Sequence, residues 1–389
     1  MSGQASSLLV PFFMNQKFLK EVTMNKWITA AVLTVSIMCL TGIAFAIVKP
    51  IPGAPVFPVT ITQPGSYVLE HNLVVPSTGT TAILVQADNV TIDLNGFAIL
   101  GPMVCTGVPL VCNHHTGTGR GIDAGSHQNI KVYNGTVSGM GETGININGD
   151  GAIIESVRVA SNGGHGISIA SGTVSANTVN KNGGDGIYVG TGTVKGNTVY
   201  KNGGTGIIVD GGGTVSANTV NNNGGDGIYF GDDSTVSTNT VNHNGGHGIY
   251  FFAAGGTVNG NTVSSNGSDG IYSVGQTSVT VSTNTVNNNG GRGINNFDGG
   301  GTVNGNTVSD NGSDGIYNND GTVIANTVTS NGGSGIVASV GVIIANTANN
   351  NNFGLGLSIL GVAGYVNNVS VINQNGNVTG GFNLGNNLD

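Results

Sequence analysis

Charged residues and large apolar side chains are scarce in this sequence. Of its 389 residues only 8% are charged, against about 25% in an ordinary soluble domain. The segment 151–350 contains no Leu, Pro, Met, Trp or Cys. This absence argues against a helical bundle or a Rossmann-type domain, because helices pack through straight-chain apolar residues. Glycine is abundant, with 69 residues, and its regular spacing argues against a disordered low-complexity chain.

The N-terminal region has the pattern of a targeting segment. Three lysines precede an uncharged run over 27–48, which holds the small-residue pattern Ala-Phe-Ala at 44–46. The pattern predicts a signal peptide over 1–46, with 1–23 as an upstream extension if Met24 is the true start. An uncleaved membrane anchor is the alternative, since the run is long enough to span a bilayer.

Cleavage would leave an acidic protein with two cysteines. It removes 3 of the 11 basic and 1 of the 19 acidic residues, which leaves 8 basic and 18 acidic ones. This balance, without a basic stripe, argues against a nucleic-acid partner, and no membrane association is expected after cleavage. In an exported protein the remaining Cys105 and Cys112 predict one disulfide that closes a small loop.

A Gly-Ile mark recurs every 20–23 residues over most of the chain. The marked residues are Ile122, Ile145, Ile167, Ile187, Ile207, Ile228, Ile249, Ile271, Ile294, Ile316 and Ile336. A period in this range is typical of a solenoid. Each unit holds three short β segments separated by Asn and Gly, which suit tight corners. We therefore predict an all-β, parallel β-helix of about 13 coils, each of 20–23 residues.

Stacking of the coils predicts which side chains touch and where the chain divides. Val215 should contact Val236 in the core, and columns of asparagines, typified by Asn218 and Asn223, should form amide ladders at two corners. The predicted segments are 47–100 for an N-terminal cap with the first strands, 101–119 for a disulfide-containing insertion, 120–375 for the repeats and 376–389 for a C-terminal tail.

The segment Asn89-Val-Thr-Ile-Asp-Leu-Asn-Gly-Phe97, followed by coils of the form Asn-Gly-Gly-x-Gly-Ile, resembles the exported bacterial right-handed parallel β-helix repeat proteins. The resemblance covers residues 55 to about 375. It implies a right-handed helix and a secreted, periplasmic or cell-surface location in a bacterium. The wider superfamily includes pectate lyases, polygalacturonases, alginate epimerases and the nitrous-oxide-reductase maturation protein, but a shared fold does not transfer their activities.

One polar column varies between coils and is a candidate catalytic site. Two residues before the marks stand Arg120, Thr143, His165, Asp185, Thr205, Asp226, His247, Asp269, Arg292, Asp314 and Ser334. Asp226 and Asp269 would lie about 10 Å apart on either side of His247, and inverting glycoside hydrolysis needs carboxylates about 6.5–9.5 Å apart. They are the acid/base candidates, with His247 as proton partner and Arg292 as the group that binds a uronate carboxylate. The alternative is a solvated corner whose side chains bond to local backbone.

Part of this column resembles the polygalacturonase-like hydrolases. Gly-His-Gly occurs around His165 and His247, and Asp226 matches one acidic position of that family. Thr205 stands where the second acidic residue is expected, and the Arg-Ile-Lys motif is absent. Hydrolysis of that type is therefore not the preferred interpretation.

Two further columns point outward. Asp185 together with Tyr188, Tyr229, Tyr250, Tyr272 and Tyr317 forms a candidate sugar-binding surface, although the tyrosines would also stabilise the sheet by cross-coil stacking. The third column is a row of threonines: Thr178, Thr198, Thr219, Thr240, Thr262, Thr285, Thr307, Thr327 and Thr347. Such a row resembles the faces of ice-binding solenoids, but Thr is also a good strand former.

The leading hypothesis is a non-catalytic scaffold that binds a polysaccharide or a cell-surface component. The repeats vary little in length, so no long loop is expected to build the walls of a groove. The rival is a hydrolase, lyase or epimerase acting on uronic-acid polymers, and ice binding is a second alternative. We predict no cofactor and no metal site, since Cys105, Cys112, His114 and His115 match no established metal signature.

Overall fold

A computed structural model describes residues 48–53, 56–107, 109–112, 117–252, 255–275, 279–352, 357–359, 361, 363–374 and 376–388. The predicted signal peptide over 1–46 lies outside these residues. No helix formed by the described residues is long and apolar enough to cross a membrane.

The chain winds into a parallel β-helix with three sheets, here called sheets 1, 2 and 3 in the order in which each coil visits them. Strands that begin in sheet 1 are Val59–Ile61, Ile83–Val85, Ile122–Asp123, Ile145–Ile147, Ile167–Ser175, Ile187–Lys195, Ile207–Val209, Ile228–Phe230, Ile249–Phe252, Ile271–Val274, Ile294–Asn304, Ile316–Ile324, Ile336–Ala338, Leu357–Ile359 and Val378–Thr379. Four of them, starting at Ile167, Ile187, Ile294 and Ile316, continue into sheet 2. All neighbours within each sheet pair in parallel through the next coil.

The remaining strands complete the other two sheets. Those that begin in sheet 2 are Lys49–Ile51, Gly65–Leu69, Val90–Asp93, Lys131–Ser138, Ala152–Ala160, Gly213–Ser216, Ser234–Ser237, Gly256–Asn259, Val279–Ser282, Val342–Ile344, Gly364–Val366 and Phe382–Asn383. Those of sheet 3 are Leu73–Val74, Ala98–Leu100, Thr178–Asn180, Thr198–Tyr200, Thr219–Asn221, Thr240–Asn242, Thr262–Ser264, Thr285–Asn287, Thr307–Ser309, Thr327–Thr329 and Thr347–Asn349.

The core is a narrow column of β-branched side chains, because alternate residues of each short strand point inward. Val215 pairs with Val194 on one side and Val236 on the other, and all three are fully buried. The predicted core contacts are therefore confirmed. Phe230 and Phe251 widen the column locally, with ring centroids 4.6 Å apart.

Both predicted asparagine ladders are present and buried. At the corner between sheets 2 and 3, Asn218 Nδ2 donates to Asn239 Oδ1 at 3.0 Å and to the Val194 carbonyl at 2.9 Å. The main-chain N–H of Asn218 donates to the same Asn239 oxygen at 2.9 Å. At the corner between sheets 3 and 1, Asn223 and Asn244 repeat the amide contact at 2.9 Å. Each ladder thus supplies hydrogen-bond partners for main-chain and side-chain groups at a corner, where the strands no longer pair.

The helix is longer than the sequence predicted. Its described residues form 15 strands in sheet 1, whereas about 13 coils were expected. Additional coils begin at Val59 and Val378, which pair with the strands at Ile83 and Leu357. The predicted count comprised the eleven marked coils and one unmarked coil at each end, at Ile83 and Leu357. The two outermost coils also lack the Gly-Ile mark and were not recognised.

The insertion 101–119 forms a small hairpin outside the coils. Strands Cys105–Thr106 and Val111–Cys112 pair antiparallel, and the predicted disulfide between Cys105 and Cys112 is confirmed. Met103, Cys105 and Cys112 form a small buried cluster of their own, with Leu110 packed against it.

Candidate functional site

The varied polar column lies where the chain leaves the corner between sheets 3 and 1 and enters sheet 1. Register pairing of Ile228, Ile249, Ile271 and Ile294 places Asp226, His247, Asp269 and Arg292 in consecutive coils. The structure thus brings the four predicted catalytic residues into one row along the helix axis.

Asp226, His247 and Asp269 each accept a hydrogen bond from the main chain of the following coil. His247 N–H donates to Asp226 Oδ1 at 2.6 Å, Asp269 N–H donates to His247 Nδ1 at 3.2 Å, and Arg292 N–H donates to Asp269 Oδ1 at 2.6 Å. The sequence had offered local backbone as the alternative partner. The observed partner lies one coil away, so the row closes main-chain hydrogen bonds in the manner of the asparagine ladders.

These contacts fix the state of the imidazole. Because His247 Nδ1 accepts the Asp269 N–H, the proton of the neutral ring belongs on Nε2. The distance from Nδ1 to Asp269 Oδ2 is 3.9 Å, which is too long for a hydrogen bond. The ring also stacks on Tyr272, with centroids 4.7 Å apart. His247 is therefore held as a structural acceptor within the row.

Arg292 has partners on three sides. Its Nε donates to Asp314 Oδ2 at 3.2 Å, its Nη1 donates to Asn295 Oδ1 at 3.3 Å, and its guanidinium lies 4.2 Å from the ring centroid of Tyr317. Asn295 in turn donates to Asp269 Oδ2 at 2.8 Å. The charge of Arg292 is thus compensated by Asp314, and the planar face of its guanidinium is covered by the ring of Tyr317.

Asp185 begins the same pattern two coils earlier. Its Oδ1 accepts the Thr205 N–H at 2.7 Å, its own N–H donates to His165 Nδ1 at 3.1 Å, and its Oδ2 lies 3.2 Å from that nitrogen. Beside it, the Tyr188 hydroxyl donates to Asp210 Oδ2 at 3.2 Å.

The tyrosine column stands on the outer face of sheet 1, next to the polar row. Tyr229 and Tyr250 meet edge to face and Tyr250 and Tyr272 stack, both with centroids 5.2 Å apart. All three side chains are half-buried. The cross-coil stacking expected as the structural alternative is therefore present.

The environment holds the tyrosine hydroxyls in their protonated form. The pKa values of Tyr188, Tyr229 and Tyr250 are raised above the usual tyrosine value, chiefly because burial disfavours the phenolate. The charge of Asp210 raises the pKa further at Tyr188 and Tyr229, whereas neighbouring tyrosines do so at Tyr250. These hydroxyls remain hydrogen-bond donors well into the alkaline range.

The threonine column forms a separate row on the outer face of sheet 3. Its nine members pair in unbroken register. The next outward position in each strand is mixed, with Asn, Tyr, Ser or Thr in different coils. Only one of the two outward columns of sheet 3 is therefore uniform.

Sequence reasoning missed a cleft beneath the disulfide hairpin. The tip of the hairpin and the corner between sheets 3 and 1 line an open cleft of about 740 Å³, whose lining includes Lys181, Lys201 and His243. The sequence predicted that no long loop would form the wall of a groove. The insertion 101–119 does form one wall of this cleft. The shared repeat position of these three residues could be read from the sequence, but the position of the hairpin over them could not.

The described residues show no group of three or more His, Cys, Asp or Glu side chains arranged to hold a metal ion. His114 and His115, considered with the cysteines as a metal site, lie outside the described residues.

Comparison with known proteins gives the fold. Residues 189–323 match the family model described as right handed beta helix region, and no curated protein matches the sequence. Similar solved structures include the A-module of mannuronan C-5 epimerase AlgE4 of Azotobacter vinelandii, with 13% identity over 81% of this chain and 89% of that chain and a TM-score of 0.46. The periplasmic alginate epimerase AlgG is 14% identical over 79% of this chain and 75% of that chain, with a TM-score of 0.41. Identities this low carry no information on substrate. The family match over 189–323 and the stacked parallel coils show that the chain has the right-handed parallel β-helix fold.

Proposed function

We propose that this protein is an exported, non-catalytic scaffold that binds a polysaccharide along the outer face of sheet 1. The observation that carries the proposal is the column of Tyr229, Tyr250 and Tyr272 in three consecutive coils beside the polar row. Tyr188 and Tyr317 extend this column beyond Ile208 and Asn295, which occupy the same position in the coils between. The tyrosine hydroxyls are protonated donors and the neighbouring carboxylates are acceptors, a combination that suits the hydroxyl groups of sugars. A regular repeat on the protein matches a regular repeat on a linear polymer.

The charge of this face favours a neutral polysaccharide. Asp185, Asp226 and Asp269 give the polar row a negative character, which would repel the carboxylates of a uronic-acid polymer. Arg292 was the predicted binder of such a carboxylate, and its charge is already compensated by Asp314 at 3.2 Å. A neutral sugar chain meets no such repulsion.

The hydrogen bonds of the polar row favour binding over catalysis. A general base needs an atom free to take a proton, and His247 Nδ1 is occupied by the Asp269 N–H. One oxygen of Asp226 and one of Asp269 likewise accept main-chain N–H groups. The rival, a polysaccharide-active enzyme that uses Asp226 and Asp269 as acid and base, would require one oxygen of each to serve in chemistry while the other closes the backbone.

Export is part of the proposal. Disulfides persist in oxidising compartments and are rare in the cytosol, and the Cys105–Cys112 bridge fits a secreted, periplasmic or cell-surface protein. The predicted signal peptide over 1–46 gives the same location.

Affinity electrophoresis through gels that contain single polysaccharides tests the proposal. We expect at least one neutral polymer to retard the protein. The protein should release no shorter sugars from that polymer. Tyr250→Ala should weaken this retardation about five- to tenfold, since an aromatic contact contributes about 1 kcal/mol or somewhat more. Thr240→Ala is the matched control, because Thr240 lies in the sheet 3 strand that immediately precedes the strand of Tyr250. This variant should behave as wild type. Retardation that is unchanged in Tyr250→Ala would refute the proposed face, and release of shorter sugars that is lost in Asp226→Asn would favour the enzyme.

A further inference from the structure

The disulfide hairpin sits directly on the corner between sheets 3 and 1. Both sulfur atoms lie within 4.0 Å of the Asn162 carbonyl oxygen. A Cβ atom added at Gly183 would be 2.9 Å from Cys112 Sγ, and one added at Gly163 would be 3.0 Å from Met103 Cε. The hairpin therefore lies directly against these two corner glycines.

The hairpin forms one wall of a cleft that runs along the corner, here called the hairpin cleft. Its tip contributes Thr106, Gly107, Pro109 and Leu110. The opposite side is made by corner residues of successive coils: Lys181, Lys201, Asn202, Gly203, Asn222, Asn223, Gly224, His243 and Gly245. The volume of about 740 Å³ falls in the range of sites that hold a small organic ligand or a short oligomer.

The rim of the hairpin cleft is basic, although the chain as a whole is acidic. Lys181, Lys201 and His243 occupy the same repeat position, immediately after a sheet 3 strand, and all three are exposed. Among the described residues, no carboxylate lies within ion-pair distance of either lysine, whereas Arg120, Lys131 and Arg292 are paired with carboxylates. Lysines of adjacent coils have Cα atoms about 4.8 Å apart along the axis. Two lysines without a carboxylate partner among the described residues therefore border the same cleft.

We propose that the hairpin cleft binds an acidic oligosaccharide. Carboxylates on neighbouring sugar residues would pair with Lys181 and Lys201, and the apolar faces of the sugar rings would lie against Pro109 and Leu110. A nucleic acid fits less well, because the described residues that line the cleft include no Phe, Tyr or Trp on which bases could stack.

This site is independent of the sheet 1 face, and its ligand has the opposite charge preference. Failure of the neutral polysaccharide to bind sheet 1 would leave the hairpin cleft untouched. Conversely, loss of acidic-sugar binding in a cleft variant would say nothing against the tyrosine row.

Calorimetric titration at low ionic strength tests the proposal with a hexamer of uronic acid and its carboxyl-reduced neutral analogue. We expect the acidic hexamer to bind and the neutral one not to bind. The double variant Lys181→Gln/Lys201→Gln should weaken binding about tenfold, the effect of two partly exposed ion pairs. Lys195→Gln is the matched control, since this exposed lysine lies outside the cleft, and Tyr250→Ala should also bind as wild type.

Removal of the wall gives a second measurement. Cys105→Ser/Cys112→Ser should abolish binding of the acidic hexamer while the far-ultraviolet circular dichroism of the coils is unchanged. Equal loss in Lys195→Gln and in the double lysine variant would overturn the proposal, because it would show unspecific attraction. So would binding of the neutral hexamer with equal affinity, or tighter binding of a six-nucleotide oligothymidylate than of the acidic hexamer.

Discussion

Removal of one ladder asparagine should destabilise the β-helix far more than removal of a surface asparagine from the preceding coil. The side chain of Asn239 is buried and makes four hydrogen bonds: two donated by Nδ2, to Val215 O and Asn261 Oδ1, and two accepted by Oδ1, both from Asn218. In Asn239→Ala the buried main-chain N–H of Asn218 loses its acceptor, which costs about 1–3 kcal/mol. Loss of the other three contacts adds about 1 kcal/mol. We therefore expect a loss of about 2–4 kcal/mol in the free energy of unfolding.

Equilibrium urea unfolding, followed by far-ultraviolet circular dichroism, measures this loss. Asn221→Ala is the matched control, because Asn221 is half-exposed and its side chain accepts one solvent-accessible bond from Asn222 at 2.8 Å. It should change the free energy of unfolding by no more than about 0.5 kcal/mol. Equal losses in the two variants, or a loss below about 1 kcal/mol in Asn239→Ala, would refute the view that the ladders hold the corners.

Three further predictions concern corners, tyrosines and threonines. Ala217 has a φ of 55°, and Gly196 and Gly260 occupy the equivalent corners of other coils. Ala217→Gly should therefore raise the free energy of unfolding in urea by about 0.5–1 kcal/mol. Ala170→Gly is the control within a strand and should lower it. Because the pKa values of Tyr188, Tyr229 and Tyr250 are raised in the folded protein, these hydroxyls lose their protons at lower pH in the unfolded chain. Their contribution to stability is therefore complete below about pH 10. It is lost as the pH rises through the higher pKa values of the folded state. A variant with Phe at all three positions should show a smaller fall of the melting temperature above pH 10, and an equal fall would contradict the assignment. Ice binding should be absent in a thermal-hysteresis measurement, since the column beside the threonines is mixed, and measurable hysteresis would show that one uniform row is enough.

The repeat made most of the fold readable from the sequence, whereas the site depended on contacts between distant parts of the chain. A residue such as Val215 or Asn218 recurs at a fixed interval, and parallel stacking determines its neighbour in the coil before it and in the coil after it. The end coils at Val59 and Val378 lack the mark on which the count relied. The main-chain partner of Asp226 follows from the corner geometry, which the spacing alone does not specify.

The hairpin cleft illustrates the same limit. The lysines at 181 and 201 share a repeat position that alignment of the coils reveals. The direction in which the insertion 101–119 folds depends on its disulfide and on the glycines beneath it, and no periodic pattern encodes that direction. The repeat period therefore predicted the positions that recur in every coil. It could not predict how the single insertion folds.

Proton NMR of a bound neutral oligosaccharide, taken from the polymer that retards the protein most, tests the central claim most directly. Saturation of the protein's aromatic protons reports contact with the sugar, and the anomeric signals in the same spectra report any change in the sugar. We predict saturation transfer that is lost in Tyr250→Ala, with anomeric signals unchanged after overnight incubation. New anomeric signals that appear with the wild type and not with Asp226→Asn would contradict a non-catalytic binding face.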